Sequence, residues 1–280
     1  MIGKILIANR GEIAVRVIRA CKEMGVETVS VFSEADRNAL HVSMADESYC
    51  VGPPRVADSY LNMNAILSVA SACRAQAIHP GYGLLSENAA FARLCAENGF
   101  VFIGPPADVI SRMGDKNAAR DTMTAAGVPV VPGSGVLRTV GEAEREAERV
   151  GYPLLIKASA GGGGRGIRRV NNGSELEHAY HTASSEALTA FGDGSVYLEK
   201  LIFPAKHVEA QILSDRFGNT VCLGERECSA QRKNQKMIEE SPSPSVDAAL
   251  RWRQRAPSAT KTPGPSSFCS TKTAIIILWR

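Results

Sequence analysis

The sequence predicts an α/β protein of two domains in series, the first a parallel sheet with helices on its faces. Three observations carry this. Residues 4–8 form a short apolar run that ends at Asn9-Arg10-Gly11-Glu12. A helical repeat follows (Ile13, Val15, Val17, Ile18, Ala20, Cys21), closed by Gly25, before a β-rich run at 26–32. A strand, a glycine turn, a helix and a strand make a βαβ unit, which implies parallel pairing. The third observation is a glycine-rich hairpin in the second half of the chain.

The elements follow in order. Residues 61–73 read as a helix, 75–78 as a strand, 91–97 as a helix and 100–103 as a strand, so 1–112 form one Rossmann-like domain. Pro105 and Pro106 break the pattern. A new helix opens at Gly114-Asp115-Lys116 and runs to 126, and 128–132 is extended. Residues 142–149 are helical and charged, a solvated face. Strands are expected at 154–158, 166–170, 196–201, 208–214 and 220–227, with a helix at 175–190. The second domain spans 113–250, with a flap at about 131–203. From 251 to 270 Pro, Ser, Thr and Arg dominate and no amphipathic period survives, so 251–280 is read as a tail outside the domain. Pro257, Pro263 and Pro265 remove ladder donors and are expected to keep that tail from supplying a strand.

Hydrophobic residues make up 44% and charged residues 22%, as in a globular chain, and a net charge of +3 argues against non-specific nucleic-acid binding. Seven scattered cysteines form no C-x-x-C pair, which argues against a zinc or redox motif and for reduced thiols in the cytoplasm. The apolar run at the N-terminus is too short for a secretory signal, and Ile275–Leu278 is too short to span a bilayer.

The sharpest local signal is Ala158-Ser159-Ala160-Gly161-Gly162-Gly163-Gly164-Arg165-Gly166. Glycines let a backbone approach a ligand, and successive free N–H groups form a nest for phosphate oxygens. The strand before the loop carries Lys157 and the one after it Arg168 and Arg169. The loop lacks the Lys-Ser/Thr of a Walker A motif and does not open a helix as a dinucleotide fingerprint does. Lys116 and Lys157 are candidate phosphate ligands. Glu199-Lys200-Leu201-Ile202 ends a strand and can form a hinge that reads adenine through backbone groups, or be an ordinary strand edge. His79-Pro80-Gly81-Tyr82-Gly83 follows a strand, where parallel sheets gather ligands, and can line a small-anion site or be a plain loop. The segment 227–236 reads as a solvated charged turn, or as an anion or nucleotide site built on Gln231, Arg232, Lys233, Gln235 and Lys236.

Together ANRGEIAVR (8–16), HPGYGLLSEN (79–88), MGDK (113–116), IKASAGGGGRG (156–166), YLEK (197–200), KHVEAQI (206–212) and CSAQRKNQK (228–236) resemble biotin carboxylases of the ATP-grasp fold, in order and spacing, over residues 1 to about 250. The resemblance implies an ATP-dependent ligase that carboxylates biotin on a carrier protein with bicarbonate. It implies that Lys116 and Lys157 contact phosphates, that Gly163 and Gly164 close a flap over them, and that Glu199 to Ile202 (with Lys200 and Leu201) form the adenine hinge. His207 matches a nucleotide-site histidine. Gln231 and Asn234 fall beside ribose and phosphate, Asn234 standing where the family often has His. Lys236 matches a lysine that holds bicarbonate. The implied cofactors are ATP and Mg2+ or Mn2+, with carrier-bound biotin as substrate. The implied partners are the biotin carboxyl carrier protein, a carboxyltransferase component and a second copy in a homodimer, with neither nucleic acid nor membrane.

The family places its metal-holding carboxylates on a later segment, roughly Phe-x-Glu-Met-Asn-Thr-Arg, that this chain does not show. The ATP-grasp domain is therefore expected to be incomplete, with no metal ligands of its own. Residues 258–280 can be recoded in a shifted frame, by permitted synonymous codons, into a string that ends Tyr-Tyr-Phe-Met-Glu. This predicts a frameshift near codons 246–252 and an out-of-frame tail. The alternative to an active ligase is a catalytically inactive nucleotide-binding fragment or a translated pseudogene of that enzyme, and the chain as written is expected to show no biotin carboxylase turnover.

Overall fold

The computed structural model describes residues 2–114, 116–159, 167–215, 217–232, 235–246 and 270–278. The chain divides into two compact units: among the described residues the first takes Met1–Ser111, Leu213–Thr220 and residues 270–271, and the second the rest from Arg112 on.

In the first unit, β1 (Lys4–Ile7), α1 (Gly11–Glu23), β2 (Glu27–Ser33), α2 (Leu40–Met44), β3 (Glu47–Gly52), α3 (Met63–Ala72), β4 (Ala77–His79), α4 (Ala89–Glu97), β5 (Val101–Phe102) and α5 (Ala107–Gly114) follow in order. The five strands are all parallel, in the order β3-β2-β1-β4-β5. Side chains alternate across β1. Ile5 and Ile7 pack with Ala14, Val17, Ile18 and Cys21 of α1, whereas Leu6 and Ala8 join Ile66, Ala70, Phe91 and Cys95 of α3 and α4. The sheet is thus covered on both faces, and each fully buried aliphatic side chain contributes about 1.5–3 kcal/mol.

Gly25 ends α1 at φ +69, with Val26 N–H donating to Cys21 and Gly25 N–H to Lys22, a Schellman closure. Asn62 and Asn88 cap α3 and α4 through their side chains. Two elements differ from the sequence expectation. β3 is an edge strand with little burial, so it shows no apolar alternation. α5 forms directly after Pro106, because proline is tolerated where the first helical N–H groups are unpaired anyway.

Beyond α5 the chain forms α6 (Lys116–Ala125), α7 (Val140–Val150), β6 (Leu154–Ala158), β7 (Ile167–Val170), α8 (Leu176–Phe191), β8 (Val196–Lys200), β9 (Lys206–Ser214), β10 (Thr220–Arg232), β11 (Gln235–Glu240) and β12 (Ser270–Leu278). β7-β6-β8 make an antiparallel sheet. Leu154, Ile156, Val196 and Leu198 pack it against Ala143 and Ala147 of α7 and Ala179, Tyr180 and Ala183 of α8. α7 is therefore not solely a solvated face: its alanine stripe is buried. A second sheet has the order β11-β10-β9-β12.

Two expectations are corrected here. The described part of the segment 227–236 is strand: β10 continues to Arg232 and β11 begins at Gln235, in antiparallel register. The strand is hard to see because nearly all its residues beyond Cys228 are polar and exposed. The tail also supplies a strand, β12 beside β9. Its prolines all precede Ser270, and Thr271, Thr273, Ile275, Ile276 and Ile277 are β-branched residues that favour extended pairing.

Candidate nucleotide site

On β6 the buried residues Leu154, Ile156 and Ala158 face the helices, which turns Leu155 and Lys157 to the opposite side. Leu155 pairs with Glu199 and Lys157 with Tyr197, so Lys157 and Glu199 are diagonal neighbours and form an ion pair. Both side chains are largely covered, at 25% and 22% exposure. Burial, with the Glu199 charge, pushes the Tyr197 phenol up to about 12. Ser159 continues the same face two residues on; its N–H donates to Ser195, and its buried Oγ finds no hydrogen-bond partner among the described residues.

The strand β8 then leaves the sheet. Lys200 N–H donates to Pro132 at 2.7 Å and Leu201 N–H to Pro153 at 3.2 Å. Lys200 Nζ donates to the carbonyls of Gly151 and Tyr152, at 3.0 and 2.8 Å. The ammonium therefore sits at the C-terminal end of α7, where carbonyls are unpaired and a cation is favoured. The side chain and N–H of Lys200 are thus tied into the fold. Leu201 and Ile202 follow, half-buried.

The second sheet gathers a connected polar patch. His207 and Glu209 alternate onto one face of β9. Gln231 on β10 places its amide nitrogen 2.7 Å from His207 Nδ1 and 2.8 Å from the Cys228 carbonyl. Nε2 of His207 is buried without a partner among the described residues. Burial, and next the Lys236 charge, lower the His207 pKa. Glu209 accepts from Arg226 at 2.6 Å and pairs with Lys236 of β11. Burial alone would raise its pKa, but these two cations outweigh it and hold it below the usual range. Glu227 is likewise buried, yet held low by Ser243, Ser245 and Ser229.

The two halves of the sequence match known families in turn. Residues 1–110 match the biotin carboxylase N-terminal domain, and 115–263 the ATP-binding domain of the carbamoyl-phosphate synthase L chain. The chain belongs to the biotin carboxylase family. Biotin carboxylase 1 of Bacillus subtilis is 58% identical over 252 residues, covering 90% of this chain and 56% of that protein. The solved biotin carboxylase of Campylobacter jejuni, in a β-γ-ATP complex, superposes with a TM-score of 0.86 at 50% identity, over 91% of this chain and 57% of that one. The biotin carboxylase domain dimer of Hydrogenobacter thermophilus 2-oxoglutarate carboxylase, solved with MgADP, ADP and bicarbonate, gives 0.85 at 53% identity, over 90% and 56%. The chain spans about half the length of these relatives.

Of the residues expected at a biotin carboxylase nucleotide site, the structure joins His207 with Gln231, and Lys157 with Glu199. Lys116 is the first residue of α6. Gly163, Gly164 and Asn234 lie outside the described residues. Glu209 and Arg226 were not singled out from the sequence. The signal for Glu209 was its two-residue spacing from His207 on a strand; Arg226 carried none, because only the β10–β9 pairing brings it close.

The divalent metal implied by the family finds no fitting set here. Among the described residues no three His, Cys, Asp or Glu side chains converge. Glu199, Glu209 and Glu227 are each already paired with a cation or hydroxyls.

In the first unit, the Asn9–Ile13 turn, Asp36 and residues 82–84 line a crevice of about 400 Å³. It lies between β1 and β4, where the strand order reverses, the usual place for ligands in such sheets. Asn9 donates to the carbonyls of Pro80 and Tyr82, at 2.7 and 2.9 Å, and ties the two turns together. Arg10 is paired with Asp36 at 2.6 Å. Asp36 also accepts from Tyr60 at 2.7 Å and from Ser33 at 3.2 Å.

Proposed function

We propose that the chain binds ATP as the nucleotide half of a biotin carboxylase and that its family reaction is the carboxylation of carrier-bound biotin with bicarbonate. The observation that carries this is the β9–β11 patch. With Nδ1 held as an acceptor by Gln231, neutral His207 carries its proton on Nε2, a buried donor that asks for an oxygen from a ligand. Lys157 and Lys236 supply cations for phosphate and bicarbonate, with Lys116 and the Gly163–Gly164 loop as further phosphate contacts. Leu201 and Ile202 are the adenine hinge, and Asn234 a ribose or phosphate neighbour. The nucleotide and bicarbonate in the relatives' solved structures support the same assignment.

In this reaction a bicarbonate oxygen attacks the γ-phosphorus of ATP and the bond to ADP breaks. The carboxyphosphate formed passes its carboxyl group to the biotin ureido nitrogen, whose N–H proton leaves with the released phosphate. Such transfers depend on positioning and on neutralising the phosphoryl charge. Lys157 and Lys236 do this within the chain. The carrier protein, a carboxyltransferase and a second copy are the proposed partners, in the cytoplasm. No helix among the described residues is long and apolar enough to cross a membrane.

A second reading, a chain that binds nucleotide without turning it over, is favoured by the committed carboxylates, which leave no metal set among the described residues. Titration calorimetry with ATP, followed by bicarbonate-dependent ADP release with free biotin, separates the two. Binding with release supports the ligase, and binding alone supports the second reading. Absence of both removes the nucleotide assignment.

A further inference from the structure

Glu209 is 4% exposed and holds two cations. Its Oε1 accepts from Arg226 Nε at 2.6 Å, and its Oε2 pairs with Lys236 Nζ. Arg226 is itself tied to Gln211 by a 3.1 Å bond from Nη2. Glu209 lies on β9 and Lys236 on β11, with β10 between them. The lysine therefore reaches its partner across a whole strand. A free lysine stem samples many rotamers, and a buried carboxylate without cations is strongly disfavoured. The arrangement answers both: the carboxylate is satisfied, and the lysine keeps one geometry.

We propose that Glu209 is the positioning residue for Lys236, fixing its ammonium so that the donors left over face an incoming oxyanion. This rests on the reading of Lys236 as the bicarbonate-holding lysine. An ammonium has three donors, and Glu209 takes one. The trio of Arg226, Lys236 and Glu209 keeps a net positive charge, so pairing does not cancel the attraction for an anion. Glu239 stands 3.9 Å from Arg226 and is about half exposed, where solvent screens it. Each oxygen of Glu209 holds one of the two cations.

Competitive acetylation of lysines in the full chain, read by mass spectrometry, tests this. Lys4 and Lys200, each held by other partners, report on the fold. Glu209→Gln is expected to raise Lys236 labelling about tenfold, the loss of one charge-assisted hydrogen bond, and to leave Lys4 and Lys200 unchanged. Glu209→Asp, which keeps the buried charge, is expected to fall between the two and covers the case in which the Gln variant does not fold. In the native chain ATP with bicarbonate is expected to protect Lys157 and Lys236; in the Gln variant only Lys157. Lys236 labelling equal to native in the folded variants overturns the positioning role. Native protection of neither lysine overturns the reading of the site instead.

Discussion

The side-chain amide of Gln231 donates to Nδ1 of His207 at 2.7 Å, and the same nitrogen donates to the Cys228 carbonyl at 2.8 Å. The carbonyl contact identifies the nitrogen, since an amide oxygen there would oppose another acceptor. Nδ1 of His207 is then an acceptor and the neutral ring carries its proton on Nε2. Protonating Nδ1 would set two donors against each other. Ring-nitrogen NMR is expected to show the Nε2–H tautomer, titrating below the ordinary 6.5. Gln231→Glu turns the partner into an acceptor and should move that midpoint up. An Nδ1–H tautomer in the native chain would contradict the arrangement.

Lys157→Ala should weaken ATP binding by about 1.5–3 kcal/mol, a charge-assisted hydrogen bond lost. The residue lies opposite the helix-packed face of β6, so the fold should survive. Equal calorimetric affinities for the two proteins would exclude Lys157 from the site.

Stability should fall in mild acid. Burial lowers the pKa of His41 and His79, and burial with the Lys236 charge lowers that of His207. Below 6.5 the unfolded chain binds protons that the folded chain resists. The contribution of these groups is full above 6.5 and is lost as pH falls through and below that value. A second loss follows below the ordinary carboxylate values of 3.8 and 4.5, from Asp36 and Glu227, whose pKa values are held low. Urea unfolding followed by circular dichroism between about pH 8 and pH 5 reads the first loss, and His41→Leu should flatten it. A flat native profile over that range would refute the assignment.

Gly81 sits at φ +67, and a Cβ there would lie 2.6 Å from the Asn9 amide and 2.8 Å from Ile13. Gly81→Ala should cost about 1–3 kcal/mol through strain and overlap. Asn9→Ala leaves the Pro80 and Tyr82 carbonyls without their donor and should cost about 1–3 kcal/mol. Because the smaller residue at 9 makes room for the added methyl, the double variant should be less destabilised than the sum. Strict additivity of the unfolding free energies would count against the contact.

Sequencing the gene across codons 246–252 is expected to reveal a single-base shift, since residues 258–280 recode into a family-like string. An unbroken frame would make β12 the native edge beside β9.

Parts of the fold were legible because local pattern and tertiary role coincide. The run of β1, Gly25 at the end of α1, and the alternation of Leu154, Ile156 and Ala158 each announce what they do. β3 was not legible, because an edge strand with one buried residue carries no period. The β10–β11 hairpin was hidden by its polarity beyond Cys228. At the site, Lys157 and His207 could be named from motifs, but the commitment of Glu209 to Arg226 and Lys236 depends on three strands meeting, which no local window contains. The ammonium of Lys200, which reaches the Gly151 and Tyr152 carbonyls past the end of α7, was likewise invisible in its motif.

Asp36 stands just past the end of β2, the place from which doubly wound dinucleotide-binding sheets extend an acid to a ribose. Here Arg10, Tyr60 and Ser33 already hold its oxygens. The first unit thus has the strand order of a coenzyme-binding sheet with the coenzyme's anchor point occupied by its own side chains. A dinucleotide reaching for Asp36 would compete with Arg10, Tyr60 and Ser33 for the same two oxygens.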